Sequence, residues 1–277
     1  MVKNSIKHLF TVLCVLCISA CNIDFFGFVV SNDLDERLLE KDNLEYLESR
    51  NWTDLDLGTP DNYSFIVLTD IHIEDGKAFD FDKLKNAINP SIKFAAVLGD
   101  ITQTGKGSDF DLYIKIADEL GVPCYPVIGN HDIYFSNWQE WKTRIGSTSY
   151  RIDDDAGTAT LFFLDSANSF FGKKQLDWLE SQLESANDNI FVFTHAPLFI
   201  NGPFKMQQIT DHKERARVIS MLKNKCKIMF MGHSHIRVEN KVGDVTYVSI
   251  EDFRSTNVYC LVTVNGPNVS YKFEKLN

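Results

Sequence analysis

Six apolar runs constrain this chain more than any other feature: YSFIVLTD from Tyr63, FAAVLGD from Phe94, CYPVIGN from Cys124, ATLFFLDS from Ala159, NIFVFTH from Asn189 and KIMFMGH from Lys227. Runs so evenly apolar suit strands covered on both faces. Between them lie stretches with helical spacing: FDKLKNAI, FDLYIKIADELG, SNWQEWKTRI, KKQLDWLESQLESAN and DHKERARVISMLKN. The alternation predicts a layered α/β domain. Its tail, RVENKVGDVTYVSIE and NVYCLVTVNGPNVSYKFEKL, predicts two antiparallel hairpins turning at Gly243 and at Asn265-Gly266. A chain of 277 residues, 44% of them hydrophobic, can bury the core of one medium-sized domain. No internal repeat or low-complexity tract interrupts it.

The N-terminal part differs. MVKNSIKHLFTVLCVLCISAC joins two lysines, an apolar run from Leu9 to Ile18 and a small-residue end. It reads as a secretory signal over residues 1–20, too short in its apolar part to span a bilayer comfortably. Ile18-Ser19-Ala20-Cys21 resembles the bacterial lipobox, which implies lipidation at Cys21 and an exported protein held to a membrane, periplasmic or on the cell surface. Residues 21–60, with leucines at 34, 38, 44 and 47 among charges, are expected to form a tether, partly helical and packed on the surface of the main domain at 61–277. Cys124, Cys226 and Cys260 lie in or beside strand-like segments and are expected to be buried free thiols. The formal charge of −10 repels nucleic acid backbones, so no nucleic acid partner is expected.

Each of the six runs ends on a polar residue: Asp70, Asp100, Asn130, Asp165, His195 or His233. In α/β sheets, sites gather beyond the carboxyl ends of strands, so these endings are expected on one rim. Asp70 with His72, and His233 with His235, stand two residues apart, a spacing that puts both side chains on one side of an extended chain. Oxygen and imidazole donors without thiolate suit Zn, Mn, Fe or Co. Seven donors exceed one tetrahedral ion and match two ions sharing a carboxylate, about 3.5–4 Å apart.

The series Asp70-x-His72, Gly99-Asp100, Gly129-Asn130-His131-Asp132, His195 and Gly232-His233-x-His235 resembles the calcineurin-like metallophosphoesterases, with all five blocks in order. The likeness spans about residues 63 to 252, and FFGKKQLDWLESQL resembles a helix that small phosphodiesterase members carry between the third and fourth blocks. It implies a layered β-sandwich of two mixed sheets flanked by helices (α/β/β/α). It implies two divalent or trivalent ions (Mn, Fe or Zn), one on Asp70, His72, Asp100 and His235, the other on Asp100, Asn130, His195 and His233, with Asp100 bridging. A bridging hydroxide would attack the phosphorus of a small phosphoester. His131 would bind no metal and would assist the leaving group, a task suited to a histidine near neutral pH. Asp132 is expected to tune this edge or to cap the following helix. The glycines are expected to let the backbone turn and approach the ions.

Departures from the family pattern narrow the activity. Where protein phosphatases of the family carry an aspartate that pairs with the catalytic histidine and an arginine that grips phosphate, this chain has Gln103 and Thr104. Purple acid phosphatases place a tyrosine where Gln103 stands. A phosphodiesterase is therefore the leading expectation; a phosphomonoesterase, a nuclease or an inactive scaffold are the alternatives. Phe199, Phe204, Tyr134 and Trp138 follow the ligand blocks, either lining a pocket or packing the loops, with packing favoured. Asp153-Asp154-Asp155 lacks the glycine-centred calcium loop and reads as a solvated turn.

Overall fold

A computed structural model of the chain describes residues 34–58, 62–78, 81–201 and 207–276. The expected signal, Cys21 and Phe204 lie outside the described residues. The six apolar runs form strands, and a further short one, Tyr150–Asp153, precedes the fourth. In chain order these are β1 (Asn62–Leu68), β2 (Ile92–Leu98), β3 (Cys124–Val127), β4 (Tyr150–Asp153), β5 (Ala159–Leu164), β6 (Asn189–Thr194) and β7 (Cys226–Met231). The tail supplies β8 (Val238–Val242), β9 (Val245–Ser249), β10 (Val258–Asn265) and β11 (Asn268–Lys275).

They assemble into two mixed sheets, ordered β11-β10-β1-β2-β3 and β4-β5-β6-β7-β9-β8. Strands β1, β2 and β3 run parallel, as do β5, β6, β7 and β9, whereas β4, β8, β10 and β11 pair antiparallel. The two hairpins turn where the glycines predict, with Val242 facing Val245 and Asn265 facing Asn268, but each joins a different sheet. Helices at Phe81–Ala87, Gly107–Glu119, Trp138–Arg144, Lys173–Gln182 and His212–Leu222 complete an α/β/β/α sandwich.

Strand alternation explains the two cores. Phe163 and Phe193 point between the sheets, where Phe65 stacks on Phe94 at 4.5 Å and meets Phe191 edge-on at 5.0 Å. Their neighbours Phe162 and Val192 point the other way, onto Leu176, Leu179, Val218 and Leu222 of the covering helices. Cys124, Cys226 and Cys260 are buried free thiols, and burial raises the pKa of all three. Within the aspartate run, Asp154 is buried rather than solvated, because it accepts the amides of Thr158 and Ala159 across the turn into β5.

The segment expected as a tether lies on the domain: Leu34, Leu38, Tyr46, Leu47, Leu55 and Leu57 are buried, and Tyr125 donates its hydroxyl to the Trp52 carbonyl. Arg37 is fully buried, and two of its nitrogens donate to the Asp165 carboxylate at 2.7 and 3.0 Å. One of these, Nη2, also reaches Asn168 at 2.7 Å. No helix among the described residues is long and apolar enough to cross a membrane.

Candidate metal centre

Loops after β1, β2, β3, β6 and β7 converge at one edge of the sandwich. Asp70, His72, Asp100 and His195 are buried there, with Asn130 and His233 half-buried and His235 exposed at the rim. Three ligand-like groups result: Asp70, His72 and His235; His72, Asp100 and His131; Asp100, His195 and His233. Asp100 Oδ2 lies 3.3 Å from His195 Nε2, 3.9 Å from His131 Nε2 and 4.0 Å from His72 Nε2. A single carboxylate oxygen thus faces three imidazoles.

Hydrogen bonds behind the rings fix which atoms point inward. His195 Nδ1 donates to the Leu98 carbonyl at 2.7 Å, leaving Nε2 toward Asp100. That nitrogen also sits 2.9 Å from Asn130 Oδ1 and 3.1 Å from His233 Nδ1. The Asn130 amide nitrogen donates to the Tyr134 hydroxyl at 2.8 Å, so its oxygen is the atom turned to the histidines. Asp70 Oδ2 accepts the Thr69 hydroxyl and the His233 amide, while Oδ1 faces His235 Nε2 at 3.1 Å. Lone pairs crowded this way repel each other unless a proton or cation lies among them. His72 Nδ1 and His233 Nε2 are buried with no partner among the described residues. The donor set therefore fits metal ions.

The paired residues do not meet as alternating side chains of an extended chain. Asp70, His72, Asp100, His233 and His235 all have φ between 46° and 66°. Left-handed bends at non-glycine residues cost about 1 kcal/mol or more each and persist where surroundings over-determine them. They curl the Asp70 and His233 loops until donors from two blocks face one another. Gly99 turns as expected, with φ +86°, and Gly129 lets its loop close on Asp100: a Cβ there would lie 2.2 Å from the Asp100 nitrogen and 2.3 Å from its Oδ1.

Electrostatics follows the packing. Burial alone would raise the pKa of Asp100, but His195 and His131 beside it hold it well below the usual carboxylate range. Burial also opposes charging of His195, yet Asp100 outweighs it and lifts the pKa to about 9. His235 is lifted to about 9 against burial by Asp70. Burial dominates at His72 and His233, held down to about 4 and about 3. In the metal-free protein two of the four histidines thus hold a proton that an incoming cation must displace.

His131 stands among these groups, its Nδ1 2.8 Å from the Gln103 carbonyl and its ring tilted against Tyr134 at 4.3 Å. Asp132 lies beneath the site rather than in it. It is fully buried and accepts the amides of Ile101, Thr102 and Gly129 and the Thr102 hydroxyl. Burial and the nearby Asp100 lift its pKa to about 7. It does not cap the Trp138–Arg144 helix; its acceptors are spent tying the Asp100 loop to the Asn130 loop. Asp165 is absorbed by Arg37. Trp138 is buried in the core, and Phe199 packs against Tyr247 at 5.2 Å. Tyr134 is buried as well, and its role in orienting Asn130 was legible only as a tyrosine four residues after a ligand.

Residues 63–237 match the calcineurin-like phosphoesterase family. A probable cyclic nucleotide phosphodiesterase of Fibrobacter succinogenes is 28% identical over 215 residues, covering 70% of this chain and 83% of that protein. Glycerophosphodiester phosphodiesterase GpdQ of Enterobacter lignolyticus is 27% identical over 154 residues, 50% of this chain and 54% of that one. Among solved structures, a dimetal phosphatase from Danio rerio superposes with a TM-score of 0.57 at 15% identity, over 78% of this chain and 99% of that one, a likeness of fold. Two mixed sheets in a helix-flanked sandwich, ligand-like His/Asp groups at one rim and a family match over most of the chain agree: the protein belongs to the calcineurin-like phosphoesterases.

Proposed function

We propose that the protein is a phosphodiesterase that works with two metal ions, one held by Asp70, His72, Asp100 and His235 and the other by Asp100, Asn130, His195 and His233. The observation that carries this reading is the place of Asp100, which belongs to a group with His72 and His131 and to another with His195 and His233, while His72 also belongs to a group with Asp70 and His235. Bound there, such ions supply positive charge for phosphoryl oxygens and lower the pKa of water. The chain's own residues do the rest. Asn130, with its amide nitrogen spent on Tyr134, offers only its oxygen to the site. His131 turns Nε2 toward the reacting edge because Nδ1 is engaged by the Gln103 carbonyl, and it hands a proton to the departing oxygen. Diester preference is supported by the two bacterial relatives, both named as phosphodiesterases, and by Gln103 and Thr104 standing where the protein phosphatases carry the histidine-pairing aspartate and the phosphate-gripping arginine.

The test is direct. Purified protein loaded with manganese or zinc hydrolyses a chromogenic phosphodiester faster than the matching monoester, and Asp100→Ala loses both the turnover and about two equivalents of metal. A wild type that binds no metal, or prefers the monoester, overturns the reading. We also place the protein outside the cytoplasm, anchored through Cys21 after removal of residues 1–20. Cys21→Ala then moves it from the membrane to the soluble fraction of cells.

A further inference from the structure

The missing histidine-pairing aspartate leaves a question: what holds the His131 ring? Its Nδ1 meets the main-chain carbonyl of Gln103 at 2.8 Å. That residue is anchored from two directions. Its amide donates to the Ile73 carbonyl at 2.9 Å, and its side-chain oxygen accepts Arg254 Nη1 at 2.7 Å. Arg254 Nη2 donates to Glu74 at 3.0 Å. The flanks of Gln103 are pinned as well, Thr102 by Asp132 and the Thr104 carbonyl by the Asn137 side chain at 2.9 Å.

Arg254 has a fixed base. It lies in a four-residue helical turn, Phe253–Thr256, capped by Asp252 on the Ser255 amide. The amides of Phe253 and Arg254 donate to the carbonyls of Thr69 and Asp70 at 2.9 and 3.3 Å. The guanidinium is half exposed, and its fork is engaged at both Nη atoms from a fixed backbone. The fork joins the loop after β1, through Glu74, to the loop after β2, through Gln103.

We propose that Arg254 is a positioning residue: through the Gln103 side chain it holds the carbonyl that orients His131, in place of the absent aspartate. This rests on the reading of His131 as the group that protonates the leaving oxygen. A loosened carbonyl lets the ring swing, which slows expulsion of a leaving group that needs the proton and spares one that departs unaided.

The experiment uses the full metal-loaded chain and symmetrical diaryl phosphates whose departing phenols range from p-nitrophenol to unsubstituted phenol. Arg254→Met is expected to lower kcat about tenfold or more for diphenyl phosphate and less than about threefold for bis(p-nitrophenyl) phosphate, with KM, bound metal and melting temperature held. Gln103→Ala repeats that pattern, and Arg254→Lys restores part of the loss. His131→Ala shows the same leaving-group dependence more strongly, and Arg254→Met adds little on top of it. Equal losses across the phenols, a change confined to KM, or lost metal in Arg254→Met overturn the proposal while leaving His131 as assigned. A His131→Ala enzyme indifferent to the leaving group overturns both, and the His131 assignment falls first.

Discussion

Asp165 and Asp100 both follow sheet strands and are both fully buried, yet their surroundings differ in kind. Asp165 receives two bonds from Arg37, a permanent cation supplied by the chain itself and equally buried. Asp100 has no such partner; its outer oxygen faces three imidazole nitrogens at 3.3 to 4.0 Å. A carboxylate neutralised within the chain is a structural clamp. One ringed by imidazoles, whose protons are exchangeable, can trade them for a cation that binds. The comparison separates the six polar strand endings into those that serve the fold and those that serve a cation.

The largest break of this comparison is Asp100→Ala, which, on the two-ion reading proposed above, should lower diester hydrolysis by more than the roughly 10–100-fold expected for loss of an outer-shell partner. Turnover and metal content measured together check it. Next comes the clamp: Arg37→Ala or Asp165→Ala should each lose about 3–5 kcal/mol of stability, because the remaining charge is stranded in the core. Urea melts measure this. The folded fraction should still take up its full metal complement, and an Arg37→Met, Asp165→Leu pair should recover most of the loss.

A pH series sharpens the contrast further. In the metal-free protein His195 and His235 have pKa values raised from 6.5 to about 9. Each binds its proton more tightly folded than unfolded. Their contribution to stability is therefore full below about pH 6.5 and is lost as pH rises through about 9. Stability of the metal-free protein should fall between pH 7 and 9, by about 2 kcal/mol from buried His195 and with little added by the solvent-screened His235, whereas saturating manganese should flatten the decline by replacing those protons. The Arg37–Asp165 clamp should leave this profile unmoved. The smallest expected effect is that of Tyr134→Phe, which removes the bond orienting Asn130 and should weaken metal retention by a few-fold, about 1 kcal/mol. A chelator titration reads it.

Much of the site was legible in one dimension because metal chemistry needs particular donors directly after particular strands. Asp70, His72, Asp100, Asn130, His195, His233 and His235 all follow apolar runs, and all reach one rim. Less legible was how they meet. The two-residue spacing suggested an extended chain, but left-handed bends do the work, since the donors must curl back over the strand ends. Asp132, next to His131, is expected from the sequence to tune that edge or to cap the following helix. Its burial against three amides and a hydroxyl depends on two loops whose proximity no local pattern encodes. The segment at 21–60 reads as a tether packed on the domain surface, and its described part does pack there, but its narrow apolar stripe does not announce which surface covers it.

By itself, then, the order of residues determined the layered α/β class, the hairpin turns and the identity of the oxygen and imidazole donors, since each follows from local periodicity, turn geometry or side-chain chemistry. Only the tertiary structure decided which polar residues share a carboxylate, which ring nitrogen points inward, and that Arg37 claims Asp165 from 128 residues away. Those outcomes depend on distances across the sandwich, and a charge is defined by its neighbours in space rather than along the chain.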